Sequence, residues 1–165
     1  MSTPTQKSGP IPLDAIALSA VSGGEGRDER DPGTNDYENG TWSHDVLAGG
    51  DGDDTLVGHD GNDVLFGGAG DDQLLGGEGR DSFSWAPGQG NDSIDGGNGI
   101  DVLMLNLPEM SPEDLLANIE VAEGSPAPVL LDGRIDLTGV TGTLVIGGER
   151  VSFTGLERIA MIGER

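Results

Sequence analysis

The chain has 165 residues, 30 of them acidic and eight basic, and its formal net charge at pH 7 is −22. A charge of this sign excludes nucleic acids and anionic membranes as expected partners, and the absence of cysteine excludes disulfides and cysteine-ligated metals. With 30 glycines and 4% aromatic residues, the chain has little apolar surface, so we expect it to stay unfolded unless a cation neutralises the acid.

The first predicted element is a leader at residues 1–24, which end in a Gly-Gly pair. Leu13, Leu18 and Val21 precede that pair at spacings that place them on one face of a short amphipathic helix. The segment resembles the double-glycine leaders of bacteriocins and related peptides. That resemblance implies cleavage after the second glycine by a peptidase domain of an ABC-type exporter.

Residues 25–39 are polar, and we predict a disordered linker there. An alternative for the Gly-Gly pair stays open, because GGEGRD at residues 23–28 also fits the start of the repeat described next. Against that alternative, Arg30 stands where the repeat has an apolar residue.

Residues 40–104 repeat with a period of nine, in seven units interrupted only by Trp85 and Ala86. Every unit has aspartate at its sixth position: Asp45, Asp54, Asp63, Asp72, Asp81, Asp92 and Asp101. Every unit has a large apolar residue at its eighth position: Leu47, Leu56, Leu65, Leu74, Phe83, Ile94 and Leu103. This strict phase argues against the alternative of a glycine-rich acidic linker with accidental periodicity.

The spacing within a unit predicts a turn followed by a short strand. Glycines at positions one, two and four permit the backbone angles of a tight turn, and position eight sends one apolar side chain to one face of a strand. Each unit is then half a coil, and successive coils stack into two parallel sheets with aspartates along both turn edges. The predicted fold is all-β: a calcium-loaded parallel β-roll (β-solenoid) with a small, mostly-β C-terminal cap and a disordered N-terminus.

The stacked carboxylates predict calcium, a hard cation that takes carboxylate and carbonyl oxygens in a flexible cage, whereas magnesium demands stricter geometry. The region resembles the RTX (repeats-in-toxin, hemolysin-type) family, with full GGxGxD matches starting at Gly49, Gly67, Gly76 and Gly96. The resemblance implies calcium ions between turns two repeats apart, bridged by position-six aspartates and completed by turn carbonyls. The predicted metal-site residues are Asp45, Gly49, Asp51, Gly52, Asp54, Gly58, Asp60, Gly61, Asp63, Gly67, Gly70, Asp72, Gly76, Gly79, Asp81, Gly90, Asp92, Gly96, Gly99 and Asp101.

Residues 105–165 are predicted to form a β-rich capping or secretion region. SPEDLLANI reads as a short helix capped by Ser111, with Pro112 in its first turn and Asp114 completing a capping pair. A hairpin is expected at Gly147-Gly148. Strand-like runs follow the helix at 129–131, 134–137, 143–146, 151–153 and 157–162. The run FTGLERI at 153–159 looks like segments that close many RTX rolls, and RTX exporters usually read an uncleaved C-terminal signal.

The sequence has no HExxH, GxSxG or GxxxxGK[ST] motif, and we expect no enzyme activity. His44 and His59 fall on one predicted edge, where they are either solvated turn residues or a transition-metal pair. The expected function is that of a bacterial secreted calcium-binding protein, exported by a type I (ABC) system and folded by calcium outside the cell, with no membrane span. A secreted effector such as a bacteriocin-like toxin or adhesin, or an accessory module of a secreted enzyme, stays open.

Overall fold

The computed structural model describes residues 33–162, which form strands and one short helix. The strands are β1 Tyr37–Asn39, β2 Val46–Asp51, β3 Thr55–Gly61, β4 Val64–Ala69, β5 Gln73–Gly79, β6 Ser82–Trp85, β7 Ser93–Gly99, β8 Val102–Leu105, β9 Ile119–Val121, β10 Val129–Leu131, β11 Arg134–Asp136, β12 Gly142–Ile146, β13 Glu149–Thr154 and β14 Arg158–Met161. The helix, α1, is Pro112–Leu116. The predicted leader, residues 1–24, and residues 25–32 of the predicted linker lie outside the described residues.

The strands of the repeat region alternate between two seven-stranded sheets. The first sheet has the order β1-β3-β5-β7-β13-β12-β9, and the second has the order β10-β11-β14-β8-β6-β4-β2. Within the repeats all neighbours are parallel, as in the pairing of Leu56 with Leu74 and of Leu65 with Phe83. The chain therefore winds as a solenoid with two strands in each coil, and the predicted parallel β-roll is confirmed.

The core between the two sheets is built from position eight of each repeat. Each of these side chains is at most 1% exposed: Leu47, Leu56, Leu65, Leu74, Phe83, Ile94 and Leu103. Trp85 belongs to this core as well, because it ends β6 opposite Leu105 and is 1% exposed. The two-residue insertion therefore adds a large buried side chain before the chain leaves the strand.

The roll begins earlier than the sequence predicts. Tyr37–Asn39, assigned above to the linker, forms β1 and pairs in parallel with Thr55 to Val57 of β3. The repeat pattern is absent here, since Glu38 stands opposite Leu56 where a repeat has an apolar residue. Backbone pairing continues although the apolar signal has stopped, and for that reason the sequence pattern misses this strand.

The helix after the repeats is capped as predicted but is shorter. The Oγ of Ser111 accepts a hydrogen bond from the Asp114 N–H at 3.1 Å and donates one to Asp114 Oδ2 at 2.8 Å. The helix ends at Leu116, whereas the predicted SPEDLLANI helix extends through Ile119. That extension is wrong, because Ile119–Val121 instead forms β9, whose backbone pairs antiparallel with β12.

The C-terminal region continues both sheets of the roll. The Gly147-Gly148 turn joins β12 and β13 as the predicted antiparallel hairpin. From this hairpin, β13 pairs in parallel with β7, and β14 pairs in parallel with β8. Within residues 33–162, no helix has the length and apolar character needed to cross a membrane.

Candidate metal centre

The position-six aspartates form two columns, one on each turn edge of the roll. We call the turns that lead into the first sheet the first turn column; its aspartates are Asp36, Asp54, Asp72 and Asp92. The turns that lead into the second sheet are the second turn column; its aspartates are Asp45, Asp63, Asp81 and Asp101. The seven predicted aspartates are all buried, with no side chain more than 5% exposed. Asp36 is an eighth member that the repeat pattern does not reveal.

Each aspartate after the first in its column uses one oxygen to accept a hydrogen bond from the turn two repeats before it. The backbone N–H of Asp45 donates to Asp63 Oδ1 at 2.8 Å, and that of Asp63 donates to Asp81 Oδ1 at 2.8 Å. The same bond recurs along both columns, with donor–acceptor distances from 2.7 to 3.1 Å. Each carboxylate thus holds the neighbouring coil in register through a charge-assisted hydrogen bond.

The second oxygen of most of these aspartates has no partner. Among residues 33–162, five Oδ2 atoms are fully buried and lack a hydrogen bond: those of Asp54, Asp63, Asp72, Asp81 and Asp101. Leaving a buried carboxylate oxygen unpaired is costly, and native proteins rarely do so without an ion or water to take its place. The five oxygens therefore recur at the places in the fold where an ion or water would be needed to satisfy them.

Each of these oxygens lies beside a position-one glycine, in a small space that we call a glycine cradle. A Cβ placed on Gly58 would lie 2.5 Å from Asp63 Oδ2 and 2.5 Å from the carbonyl oxygen of Gly76 in the next turn. A Cβ on Gly76 would meet Asp81 Oδ2 and, at 2.6 Å, the Gly96 carbonyl oxygen. Two oxygens thus converge at these cradles and at that of Gly49, whereas at Gly67 the nearest atoms all belong to Asp72. Any side chain at position one would fill the space.

This role of position one differs from the turn geometry that the repeat pattern predicts for it. Gly50 and Gly52, at positions two and four, have φ of 117° and 125°, a region that favours glycine. The position-one glycines have no such angle, so they are required for space and not for backbone conformation. His59 occupies a position two with φ of 77°, a strained value for a residue with a side chain.

Burial raises the pKa of these carboxyls, because it disfavours their charged form. The pKa of Asp63 rises from 3.8 to about 6; the N–H of Asp45 opposes that rise, and the charge of Asp81 adds to it. Burial also raises the pKa of Asp101 to about 6 and that of Asp92 to about 7. It raises the pKa of three further carboxyls, those of Asp54, Asp72 and Asp81. The columns therefore hold charge that the protein alone does not stabilise.

Two predicted aspartates depart from this arrangement. Asp45 Oδ2 accepts hydrogen bonds from the N–H and Oγ of Thr41, at 2.6 and 2.9 Å, so its second oxygen is already satisfied. Thr41 stands at position two of the first unit, where most units have glycine. Asp92 follows a turn with Pro87 at position one and is absent from the set of unpaired oxygens.

Other predicted residues lie outside the cradles. Asp51 and Asp60 occupy position three and are exposed. The pattern also missed a ladder at position five, in which the Asp71 N–H donates to Asp53 Oδ1 and the Asn91 N–H donates to Asp71 Oδ1, at 2.9 and 2.8 Å. The recurrence of aspartate and asparagine at position five of the repeat was the sequence signal that could have revealed this ladder.

The histidines have partners other than each other. Nδ1 of His44 accepts a hydrogen bond from the Asn62 N–H at 2.7 Å, and the His59 ring lies 5.6 Å from that of Trp42, centroid to centroid. In the part of the chain that the structure describes, no three His, Asp or Glu side chains converge as a metal-binding group. The cradles instead combine one carboxylate with backbone carbonyl oxygen.

The comparisons with known proteins agree with this geometry. The family model of the RTX calcium-binding nonapeptide repeat matches the chain in four copies, over residues 39–74, 48–83 and 88–103. The chain is an RTX-type repeat protein. Its RTX repeats imply Ca²⁺, and the cradles fit that ion because carboxylate and carbonyl oxygens are the ligands it takes.

A solved structure is similar to this chain along most of its length. The chain is similar to the structure titled the AlgE6R3 subunit from the Azotobacter vinelandii mannuronan C5-epimerase, with 28% sequence identity and a TM-score of 0.50. The match covers 82% of this chain and 79% of the other. Among curated proteins, no match was found.

Proposed function

We propose that the glycine cradles are the calcium sites of this RTX protein and that calcium binding folds the roll after export. The sites at Gly49, Gly58 and Gly76 combine the Oδ2 of a position-six aspartate with the position-one carbonyl of the next turn. The five buried, unpaired Oδ2 atoms carry this proposal, because nothing else in the described residues satisfies them. When bound, calcium supplies the positive charge that neutralises these carboxylates and takes further backbone and water oxygens.

The remaining predicted site residues belong to the same proposal. The glycines at positions two and four shape the turns, and Gly52 and Gly61 are examples with φ of 125° and 147°. The position-three residues, such as Asp51 and Asp60, contribute to calcium binding through their backbone and through the negative charge that they add to the turn. Their exposed side chains leave them free of the cradles.

The proposal includes a place of action. In the calcium-poor cytoplasm the carboxylates repel, and the repeats stay loose enough to pass through an ABC-type exporter. In the calcium-rich medium outside a bacterial cell the columns are neutralised and the roll folds. Residues 105–162 cap the open end of the roll, because β13 and β14 cover the edges of β7 and β8 that would otherwise be unpaired.

A calcium titration of the full chain followed by far-ultraviolet circular dichroism tests this function. In chelator we expect mostly coil, with β signal gained cooperatively at about 10⁻⁴–10⁻³ M calcium, as for extracellular modules. Magnesium at the same concentrations is the control and should leave most of the chain unfolded. Equal β content in chelator and in calcium would contradict the proposal.

A second candidate function is supported by the structural comparison. The similar AlgE6R3 structure is a subunit of an enzyme, so this chain could act as an accessory module beside a catalytic chain. A catalytic protein that copurifies from the medium would support that function. A secreted effector, the third candidate, would instead inhibit the growth of neighbouring bacteria in an assay with the purified, calcium-loaded protein.

A further inference from the structure

The turn that joins β13 to β14 takes the place of a repeat turn at the end of the second turn column. Gly155 follows Thr154, which pairs with Asp95, so Gly155 lies next to Gly96 in the stack. Glu157 precedes Arg158, which pairs with Val102, so Glu157 lies next to Asp101. The turn from Gly155 to Glu157 is shorter than the GGxGxD turn, and it lies outside the residues that match the RTX repeat.

The hydrogen bonds of this short turn reproduce those of the repeats. The Asp101 N–H donates to Glu157 Oε2 at 2.6 Å, as the Asp81 N–H donates to Asp101 Oδ1 at 2.8 Å one coil earlier. The Arg158 N–H donates to the Asp101 carbonyl at 3.3 Å, as the Val102 N–H donates to the Asp81 carbonyl at 2.9 Å. Glu157 therefore acts as a position-six residue, and its longer side chain spans the shorter turn.

The cradle at Gly96 is also completed by this turn. A Cβ on Gly96 would meet the carbonyl oxygen of Gly155 and would lie 2.9 Å from Asp101 Oδ2. This is the same pair of oxygens, a position-six carboxylate and the next turn's carbonyl, that meets at Gly58 and Gly76. Asp101 is 0% exposed, and its Oδ2 has no hydrogen-bond partner.

We infer that the calcium site at the Gly96 cradle is completed from outside the repeats, by Gly155 and Glu157 together with Asp101, at the junction of the RTX roll and the C-terminal region. Asp101 Oδ2 and the Gly155 carbonyl are its ligands, and Glu157 orients Asp101 and adds the negative charge of the missing repeat aspartate. Calcium at this junction fastens β13 and β14 to the roll. The inference rests on the proposed function, because it assigns to this cradle the ion proposed for the others.

The first experiment counts bound calcium ions on the full chain by native mass spectrometry. Glu157→Gln keeps the acceptor for the Asp101 N–H but removes the charge, so we expect it to bind one ion fewer than the native chain. Glu157→Asp keeps the charge on a shorter side chain, so it should bind the native number of ions, the junction ion with weaker affinity than in the native chain. The matched control is Glu120→Gln, which removes an equal charge from an exposed ion pair with Arg150 and should bind the native number.

The native chain provides a second readout that does not depend on the folding of a variant. Calcium should slow hydrogen exchange of the Glu157 and Arg158 amides by about tenfold or more, because both donate to the Asp101 carbonyl. The Val64 amide, which donates to Asp45 within the repeats, is the internal reference.

The outcomes are distinguishable. A native ion count and native affinity in Glu157→Gln would overturn this site while leaving the repeat sites intact. If Glu157→Gln does not fold, hydrogen exchange on the native chain decides. Calcium that protects the Val64 amide but not the Glu157 and Arg158 amides would overturn the junction site. Calcium that protects all three amides would support the site. A native chain that binds no calcium would instead overturn the proposed function itself.

Discussion

A position-six aspartate uses its two oxygens for different purposes. Its Oδ1 holds the preceding coil by a backbone hydrogen bond, and this bond is present in both columns. Its Oδ2 faces a glycine cradle and is satisfied by protein atoms at Asp45 but not at Asp72. We therefore expect aspartates at the same repeat position to contribute differently to calcium-driven folding in different turns.

This difference predicts the effect of removing each carboxylate. Asp72→Ala should raise the calcium midpoint for folding by roughly tenfold or more, equivalent to about 1.4 kcal/mol, because it removes a buried ligand with ordered turns on both sides. Asp45→Ala should shift the midpoint much less, because Thr41 already occupies its second oxygen. Circular dichroism during calcium titration measures both, and equal midpoints would contradict the stacking assignment.

The raised pKa values predict that protonation of the buried carboxyls at low pH partly replaces calcium in stabilising the folded roll. Burial raises the pKa of Asp63 and Asp101 to about 6 and that of Asp92 to about 7. The folded roll therefore binds more protons than the unfolded chain above the ordinary value of 3.8. In chelator, the extra protons bound by the folded roll add to its free energy of unfolding. This stabilisation is fully present below pH 3.8 and is lost as the pH rises through about 6 to 7.

The measurement is the β signal in far-ultraviolet circular dichroism in chelator at a series of pH values, paired with calcium titrations over the same series. The β signal without calcium should rise as the pH falls from about 7.5 to about 4.5, and apparent calcium affinity should fall over that range because protons compete for the same oxygens. Calcium affinity that is constant over this range would contradict the assignment of buried carboxylates as ligands.

At the scale of elements, the strands of the C-terminal region support the roll through core contacts as well as backbone pairing. Phe153 of β13 lies opposite Ile94, and Ile159 of β14 lies opposite Leu103. Both side chains are 2% exposed, so the apolar core continues from the repeats into the cap without a break.

This continuity predicts a large effect of a core substitution outside the repeats. Phe153→Ala should lower the free energy of unfolding in saturating calcium by about 3–5 kcal/mol, because a buried aromatic ring is lost. Ser152→Ala, next to it in the same strand but exposed, should change it by less than about 0.5 kcal/mol. Thermal or urea unfolding compares the two, and equal losses would argue against a shared core.

The elements that could be predicted from sequence are those whose residues repeat in phase. Strict aspartate and apolar positions predict the parallel sheets and the buried residues such as Leu56 and Phe83, and capping chemistry predicts the start of α1 at Ser111. The strand at Tyr37 could not be predicted, because backbone pairing with β3 forms it without an apolar residue at the core position.

The candidate site was predictable only in part, for a similar reason. Repeat spacing identifies the position-six aspartates, but it does not show that Thr41 satisfies Asp45 or that Glu157 serves as a position-six residue. Both depend on contacts between residues with different local patterns, and Glu157 lies 56 residues from Asp101. The cradles themselves follow from stacking, which a single unit does not display.

At the scale of the whole molecule, the net charge of −22 sets the conditions for folding. A chain with so much like charge is favoured as an expanded state until cations bind, and expansion suits passage through an export channel. We propose that residues 1–24, which resemble a double-glycine leader, direct the chain to the exporter.

Intact-mass measurement of the secreted protein tests the proposed leader. We expect the chain in the medium to begin at Glu25, and Leu18→Asp should leave precursor inside the cell by disrupting the apolar face that docks on the exporter. Ser8→Asp, a charge change outside that face, is the control and should be exported normally. Secreted protein that retains residues 1–24 would refute the leader and favour a C-terminal signal, with no effect on the calcium sites.

The sequential winding of the roll gives it a mechanical polarity. The described N-terminal end is the three-residue β1, whereas the other end is closed by the hairpin of β12 and β13. Because bonded aspartates are 18 residues apart, or 20 where Trp85 and Ala86 are inserted, each coil pulled from the N-terminal end would lengthen the chain by roughly 60–70 Å. In calcium, an optical trap should therefore record a series of similar extension steps that starts at the N-terminal end, with the longer steps at the coils that contain the insertion.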